Sequence, residues 1–329
     1  MRDASDAPPA DRAAQGAFLV SHDPETPPAG LQHCVAIIGN FDGIHRGHLA
    51  VIERGLALAR RLGRPCAVLT FEPHPADFFA GRRVVFRLTP EPAKALILER
   101  LGLDGMIVMR FDAELARLTA QEFVSEILLR RLGVSGVVAG FDFHFGRSRK
   151  GTPALLVEAG AQHGFAVEVV EKVRADPAGS LEAVHSTAVR AALELGDVVE
   201  ASRLLGRPWF ALGRVEHGRK LGRELGFPTA NLTLDPSCRL RYGIYAVRIL
   251  EGGVLRQGVA SYGRRPTFDN GPPLLEVFLF DFEGDLYGRT LEIEFSGWIR
   301  GEEKFADAEA LVSRMREDVE AARRILAPG

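Results

Sequence analysis

Apolar positions along this chain fall into two textures. From about residue 33 to 171, short and continuously apolar runs alternate with stretches whose apolar residues recur at helical spacing. Residues 34–38, 66–71, 105–109, 136–139 and 165–170 read as strands, separated by amphipathic segments. Strands apolar on both faces, joined by crossovers long enough for a helix, predict an α/β fold with a doubly wound parallel sheet. Ligands of such sheets bind beyond the carboxyl ends of the strands. Helical spacing persists past Arg190 to Leu204, and after Gly206-Arg207-Pro208 alternation takes over. Residues 242–250, 254–260, 274–280 and 291–298 then read as strands cut by Gly, Pro, Asp and Asn turns, which predicts a small antiparallel β-barrel. A helix over 306–326 closes the chain. The expected division is a flexible leader over 1–30, an α/β domain over 31–205 and a barrel domain over 206–329.

Composition narrows the class. With 329 residues and 46% hydrophobic content there is enough apolar material for two cores. A net charge of −2, from 41 basic and 43 acidic residues, argues against a general nucleic-acid or anionic-membrane binder. Cys34, Cys66 and Cys238 are too few and scattered for a disulfide framework, so a reducing, cytoplasmic setting is expected. The leader, rich in Ala, Pro and Asp, has no apolar stretch long enough for a signal peptide or membrane span. Whether copies of the chain self-associate stays open.

The densest chemistry lies in Val35-Ala36-Ile37-Ile38-Gly39-Asn40-Phe41-Asp42-Gly43-Ile44-His45-Arg46-Gly47-His48. A β-branched run feeds a turn built on Gly39, Asn40, Phe41, Asp42 and Gly43. His45 and His48 then sit three apart, on one face of a helix running to about Leu62. Free N–H groups and the positive dipole end at that helix start favour an anion, and two imidazoles there can donate to a triphosphate. A nucleotide-phosphate site is expected; surface or metal-binding histidines are the competing account.

The segment GNFDGIHRGH resembles the HxGH signature of nucleotidyltransferases, in the form found in bacterial bifunctional riboflavin kinase/FAD synthetases. The resemblance continues in order through Thr70-Phe71-Glu72-Pro73-His74-Pro75, Gly140-Phe141-Asp142-Phe143-His144-Phe145-Gly146, Ser186-Thr187-Ala188-Val189-Arg190, Gly226-Phe227-Pro228-Thr229-Ala230-Asn231-Leu232, and Arg265-Pro266-Thr267-Phe268 followed by Glu276. It implies a nucleotidyltransferase domain before a flavokinase barrel. The implied reactions are phosphorylation of riboflavin to FMN and adenylylation of FMN to FAD, with ATP as co-substrate in both and Mg²⁺ as cofactor.

Adenylyl transfer starts from a phosphate that is already an anion, so it needs alignment and charge neutralisation rather than a base. His45, His48, Arg190 and the hydroxyls of Ser186 and Thr187 are suited to that, with the plain helix cap as the competing account of Ser186 and Thr187. His185 stands where the family has a first serine. In the family the loop carrying Asp142, Phe143 and Phe145 shapes the flavin and adenine pocket; core packing competes for the two rings. Glu72-Pro73-His74-Pro75 reads as a positioned turn rather than a metal site.

The barrel half carries a second phosphate signal. Gly213, Gly218, Gly222 and Gly226 interleave with Arg214, Arg219, Lys220 and Arg223, joining close backbone approach to positive charge in one expected loop. A nucleic-acid patch is the alternative. Thr229 and Asn231 offer hard oxygen donors suited to Mg²⁺ beside phosphates, and the resemblance gives them that role. Phosphorylating a neutral alcohol requires a proton acceptor, for which Glu276 matches the family's catalytic glutamate; an exposed strand carboxylate is the competing account. Ser261 departs from the family's Asn. Two other functional readings are a single-activity relative with one domain inactive, and a flavin-sensing or flavin-delivering binding protein.

Overall fold

The computed structural model describes residues 17–171, 185–217, 226–264 and 273–327. The described residues pack as two compact units drawn from interleaved stretches of chain. The first comprises Met1–Asn40, Ala50–Gly81 and Ala95–Lys172, and the second Phe41–Leu49, Arg82–Lys94 and Val173–Gly329.

The first unit is built on a six-stranded parallel sheet of β1 (Leu19–His22), β2 (Val35–Ile38), β3 (Cys66–Glu72), β4 (Gly105–Arg110), β5 (Gly136–Gly140) and β6 (Ala166–Val170). Its strand order is β1-β4-β3-β2-β5-β6. All four residues of β2 are buried, as a central strand covered on both faces requires. Helix α1 (Arg46–Leu62) follows β2, and a side chain at Gly55 would come within 2.4 Å of Ile37, so glycine lets helix and strand approach. Burial by apolar neighbours, with Asp104 and, for Cys66, Cys34 adding to it, pushes the Cys34 thiol up to about 12 and raises Cys66 as well, leaving two inert thiols.

Part of the leader expectation is corrected here. Leu19–His22 is an edge strand on β4, in register from Leu19 with Gly105 to His22 with Val108. Being short and only half-buried, it lacks the continuous apolar run that marked the interior strands. The rest of the leader, residues 1–16, lies outside the described residues.

In the second unit α3 (Ser186–Leu195) and α4 (Val198–Leu205) replace the single helical stretch read after Arg190, broken at Gly196 with φ of 82°. The barrel follows: β7 (Phe210–Glu216), β8 (Thr229–Thr233), β9 (Gly243–Glu251), β10 (Val254–Gly263), β11 (Leu274–Leu279) and β12 (Thr290–Arg300). These close in the order β10-β11-β8-β7-β12-β9. Two strands, β7 and β8, add to the four read from alternation. Gly213 belongs to β7 rather than to a phosphate loop. A side chain there would come within 2.9 Å of Leu232, so packing explains its glycine. A last helix, α5 (Ala308–Leu326), seats Ala322 and Leu326 against Ala246 and Phe280. It is pinned by Arg300, which donates to both oxygens of Asp318 at 2.8 and 2.6 Å.

The barrel interior, with Tyr245, Val247, Tyr262, Val277, Ile293 and Phe295, is continuous with Phe86, Leu88, Val189, Leu193, Val198 and Leu205. The two helices and the strap around Phe86 are therefore part of the barrel's own core. Each large apolar side chain stripped of its cover forfeits about 1.5–3 kcal/mol. A fragment over 206–329 is expected to unfold at least about 3 kcal/mol more easily than one over 185–329. Denaturant titration of the two fragments checks this; equal midpoints would mean that the helices add nothing to the barrel.

Candidate active sites

The turn after β2 is conformationally costly. Phe41, Gly43 and Ile44 all have positive φ, at 47°, 89° and 45°. For a β-branched residue such as Ile44 this is a genuine outlier, and left-handed non-glycine residues cost on the order of 1–3 kcal/mol each. Their persistence requires a surrounding lattice of bonds. Ser186 Oγ donates to the Asp42 carbonyl at 2.7 Å, and Arg207 Nη2 to the Gly43 carbonyl at 2.7 Å. The Gly43 N–H donates to Thr89 Oγ1 at 2.8 Å, and Thr89 Oγ1 lies 3.3 Å from the Phe41 carbonyl. The Asp42 carboxylate, 2% exposed, accepts from the Thr89 N–H at 3.0 Å and from Arg190 Nη2 at 2.5 Å. Arg190 Nε donates to the Phe86 carbonyl at 2.7 Å, which ties the same guanidinium to the strap around Phe86.

The histidine pair sits at the start of α1. Leu49 N–H donates to the His45 carbonyl at 3.0 Å, so His45 occupies the cap position rather than the first helical turn. The His45 and His48 rings stack at 3.8 Å with 21° between planes, and Phe41 tilts against His48 at 5.0 Å. The first turn of α1 has no acidic residue, leaving its positive dipole end uncompensated. Burial, then the nearby charges of His45 and Lys94, hold the His48 imidazole well below its ordinary 6.5. Lys94 itself is only 1% exposed. His48 Nδ1 is buried with no hydrogen-bond partner among the described residues.

Within the first unit, Gly39 follows β2, and Glu72 and Gly140 end β3 and β5; the three strands lie side by side. The Gly39 N–H donates to the Leu69 carbonyl at 3.1 Å, and the Asn40 carbonyl accepts from Thr70 Oγ1 at 3.1 Å. His74 Nδ1 accepts from the Ala76 N–H at 3.1 Å and caps α2 (Pro75–Ala80), in keeping with a positioned turn. In the loop after β5, Asp142 is exposed and its carbonyl lies 2.9 Å from His144 Nδ1. Phe145 is a core residue at 6% exposure, packed on Phe123, and is not free to stack on a flavin. Phe143 stacks on it at 5.6 Å, and the exposed ring of this loop is Phe141.

On the barrel, register brings the kinase candidates into one row. Glu276 on β11 lies directly opposite Asn231 on β8 and Ser261 on β10, and Asn231 lies opposite Glu216 on β7. Directly opposed residues share a face, and alternation adds Thr229, two before Asn231. Leu275 and Val277 point into the core, so the row lies on the outer face. Asn231 is 8% exposed and its Nδ2 reaches the Thr229 carbonyl at 3.5 Å. Gly226 has a φ of 83°, and a Cβ there would meet nothing within 4 Å among the described residues. Gly218, Arg219, Gly222 and Arg223 lie outside the described residues.

Residues 28–184 match the FAD synthetase family and residues 205–326 the riboflavin kinase family. Over 304 residues the chain is 44% identical to the bifunctional riboflavin kinase/FMN adenylyltransferase of Pseudomonas fluorescens, covering 90% of this chain and 94% of the relative. The chain belongs to the bifunctional riboflavin kinase/FMN adenylyltransferase family. The Haemophilus influenzae member is 40% identical over 294 residues, 89% of this chain and 94% of the relative. A crystal structure described as a macrolide-efflux protein from Streptococcus pneumoniae has the same fold, with a TM-score of 0.78 and 31% identity over 93% of this chain and 99% of that one. Among the described residues, no helix of the present chain is long and apolar enough to cross a membrane. The two family matches leave out residues 185–204, which hold Ser186, Thr187 and Arg190.

Thr89, Lys94 and Arg207 were missed by motif reading. They stand outside every motif, and Thr89-Pro90 reads as ordinary turn chemistry, so no local signal marks them. Because its folded value is lowered, His48 stays neutral through the range where a free imidazole titrates. Imidazole NMR shifts of His48 should therefore stay flat between about pH 6 and 8. A midpoint in that range would mean that His48 carries charge near neutral pH.

Proposed function

We propose a division of labour in which the barrel row phosphorylates riboflavin to FMN and the braced HxGH turn adenylylates FMN to FAD. The overall assignment, riboflavin kinase and FMN adenylyltransferase in one chain, is that of the family. The domain boundary at 205/206, the residue roles, the metal and a cytoplasmic location are our reading.

The observation that carries the kinase assignment is the pairing of Glu276 with Asn231. A carboxylate next to an amide and a hydroxyl, on the outer face of a rigid barrel, can serve as base beside a cation site. Thr229 and Asn231 supply hard oxygen donors of the kind Mg²⁺ takes, and would hold it there. Bound Mg²⁺ would offset charge on the transferring phosphoryl group. Glu276 accepts the proton of the ribityl hydroxyl as it attacks the γ-phosphorus of ATP, and ADP leaves. Ser261, facing Glu276, keeps a hydroxyl where the family's longer Asn would stand.

At the turn the nucleophile is the FMN phosphate, attacking the α-phosphorus of ATP with loss of pyrophosphate. His48 and His45 donate to phosphate oxygens from the mouth of α1, whose dipole favours the anion. Ser186 Oγ, committed to the Asp42 carbonyl, and Arg190, committed to Asp42 and Phe86, shape the turn more than they grip phosphate. Thr187, exposed one residue on, is the hydroxyl turned to solvent.

Two variants test this. Glu276→Gln should lower FMN formation by roughly a hundredfold to ten-thousandfold while leaving FAD synthesis from supplied FMN intact. His48→Ala should cut FAD formation on the order of a hundredfold with kinase turnover near normal. Steady-state rates of the two half-reactions, separated by chromatography of riboflavin, FMN and FAD, decide both. Loss of both activities in either variant would refute two independent sites.

A further inference from the structure

We propose that Thr89 is a positioning residue for adenylyl transfer, the lock that keeps the HxGH turn in its strained conformation. The inference rests on reading that turn as the adenylylation site. Thr89 sits in the Arg82–Lys94 stretch, within the same compact unit as the turn but in no motif.

Two features single it out. It bonds to three consecutive residues of the turn. Its Oγ1 lies 2.8 Å from the Gly43 nitrogen, 3.3 Å from the Phe41 carbonyl and 3.4 Å from Asp42 Oδ1, and its N–H donates to Asp42 Oδ1 at 3.0 Å. Those residues include two of the three positive-φ positions, which hold only where the surroundings over-determine them. The Gly43 N–H, which as a turn amide would otherwise be offered to phosphate, is thereby committed to the protein.

The lock is itself held from behind. Leu88 accepts from the Trp209 indole N–H at 3.1 Å, and the Arg87 N–H donates to Ser237 Oγ at 2.9 Å. Leu88 and Phe86, flanking it, are buried in the core shared with the barrel. Thr89 thus joins a rigid backing to the strained turn, and its hydroxyl does what no isosteric hydrocarbon can. The chemical consequence is directional. Residues before Ile44 determine where α1 starts, and α1 carries the two imidazoles. Releasing the turn shifts His45 and His48 from the phosphates without removing any group that contacts them, which loses rate by misalignment.

The test uses the full chain with Thr89→Val, which keeps shape and removes the hydroxyl, and Thr89→Ser, which restores it. Adenylylation kcat and KM for ATP are measured alongside riboflavin kinase activity on the same preparations. In Thr89→Val the adenylylation kcat should fall at least tenfold while kinase kcat stays within twofold, and Thr89→Ser should return adenylylation to within threefold of the parent. Adenylylation unchanged in Thr89→Val, a Thr89→Ser variant as slow as the valine, or parallel loss of both activities would each overturn the proposal. If His48→Ala leaves FAD formation intact, the assignment of the turn is what fails.

Discussion

One buried carboxylate organises the nucleotide half of this protein. Asp42 ties together Thr89, Arg190 and, through its carbonyl, Ser186, three residues separated from it by 47, 148 and 144 positions in sequence. A carboxylate this deeply buried is tolerated because Arg190 pairs with it and the Thr89 N–H donates to it; removing one partner would leave an uncompensated charge. The return is conformational. Three left-handed residues in four are held in place, and α1 begins where two stacked imidazoles can face an anion.

The same core that fills the barrel also backs this turn. Phe86, Leu88 and Leu205 belong to it, and Leu88 and Leu205 are the side chains nearest Gly43. Function and packing therefore divide the chain differently. The family matches run in sequence order, whereas the compact units exchange the Phe41–Leu49 and Arg82–Lys94 stretches.

The barrel achieves its arrangement by register alone. Side chains from β10, β11, β8 and β7 come to one line because antiparallel pairing places Ser261, Glu276, Asn231 and Glu216 opposite one another. Thr233 Oγ1 lies 3.2 Å from the Glu216 carboxylate, continuing the polar face along the same strands. A slip of one residue in β11 would put Glu276 into the apolar interior, where its charge could not be borne. The core positions Leu275 and Val277 thus fix the carboxylate between them as firmly as any contact of its own.

The sequence alone determined five strands of the central sheet and four of the barrel, since burial on both faces writes continuous apolar runs and burial on one writes alternation. It also pointed to Gly39 to His48, through glycines and histidines at fixed offsets, and to Thr229, Asn231 and Glu276 through the family resemblance. Tertiary structure decided the rest. The edge strand Leu19–His22 and the strand holding Gly213 needed partners before their half-buried patterns meant anything. Phe145 became core rather than flavin platform because Phe123 packs on it from another element. Thr89 and Lys94 acquired their places only when the strap around them closed on the turn. A hydrogen bond between residues far apart in sequence leaves no trace in either local pattern.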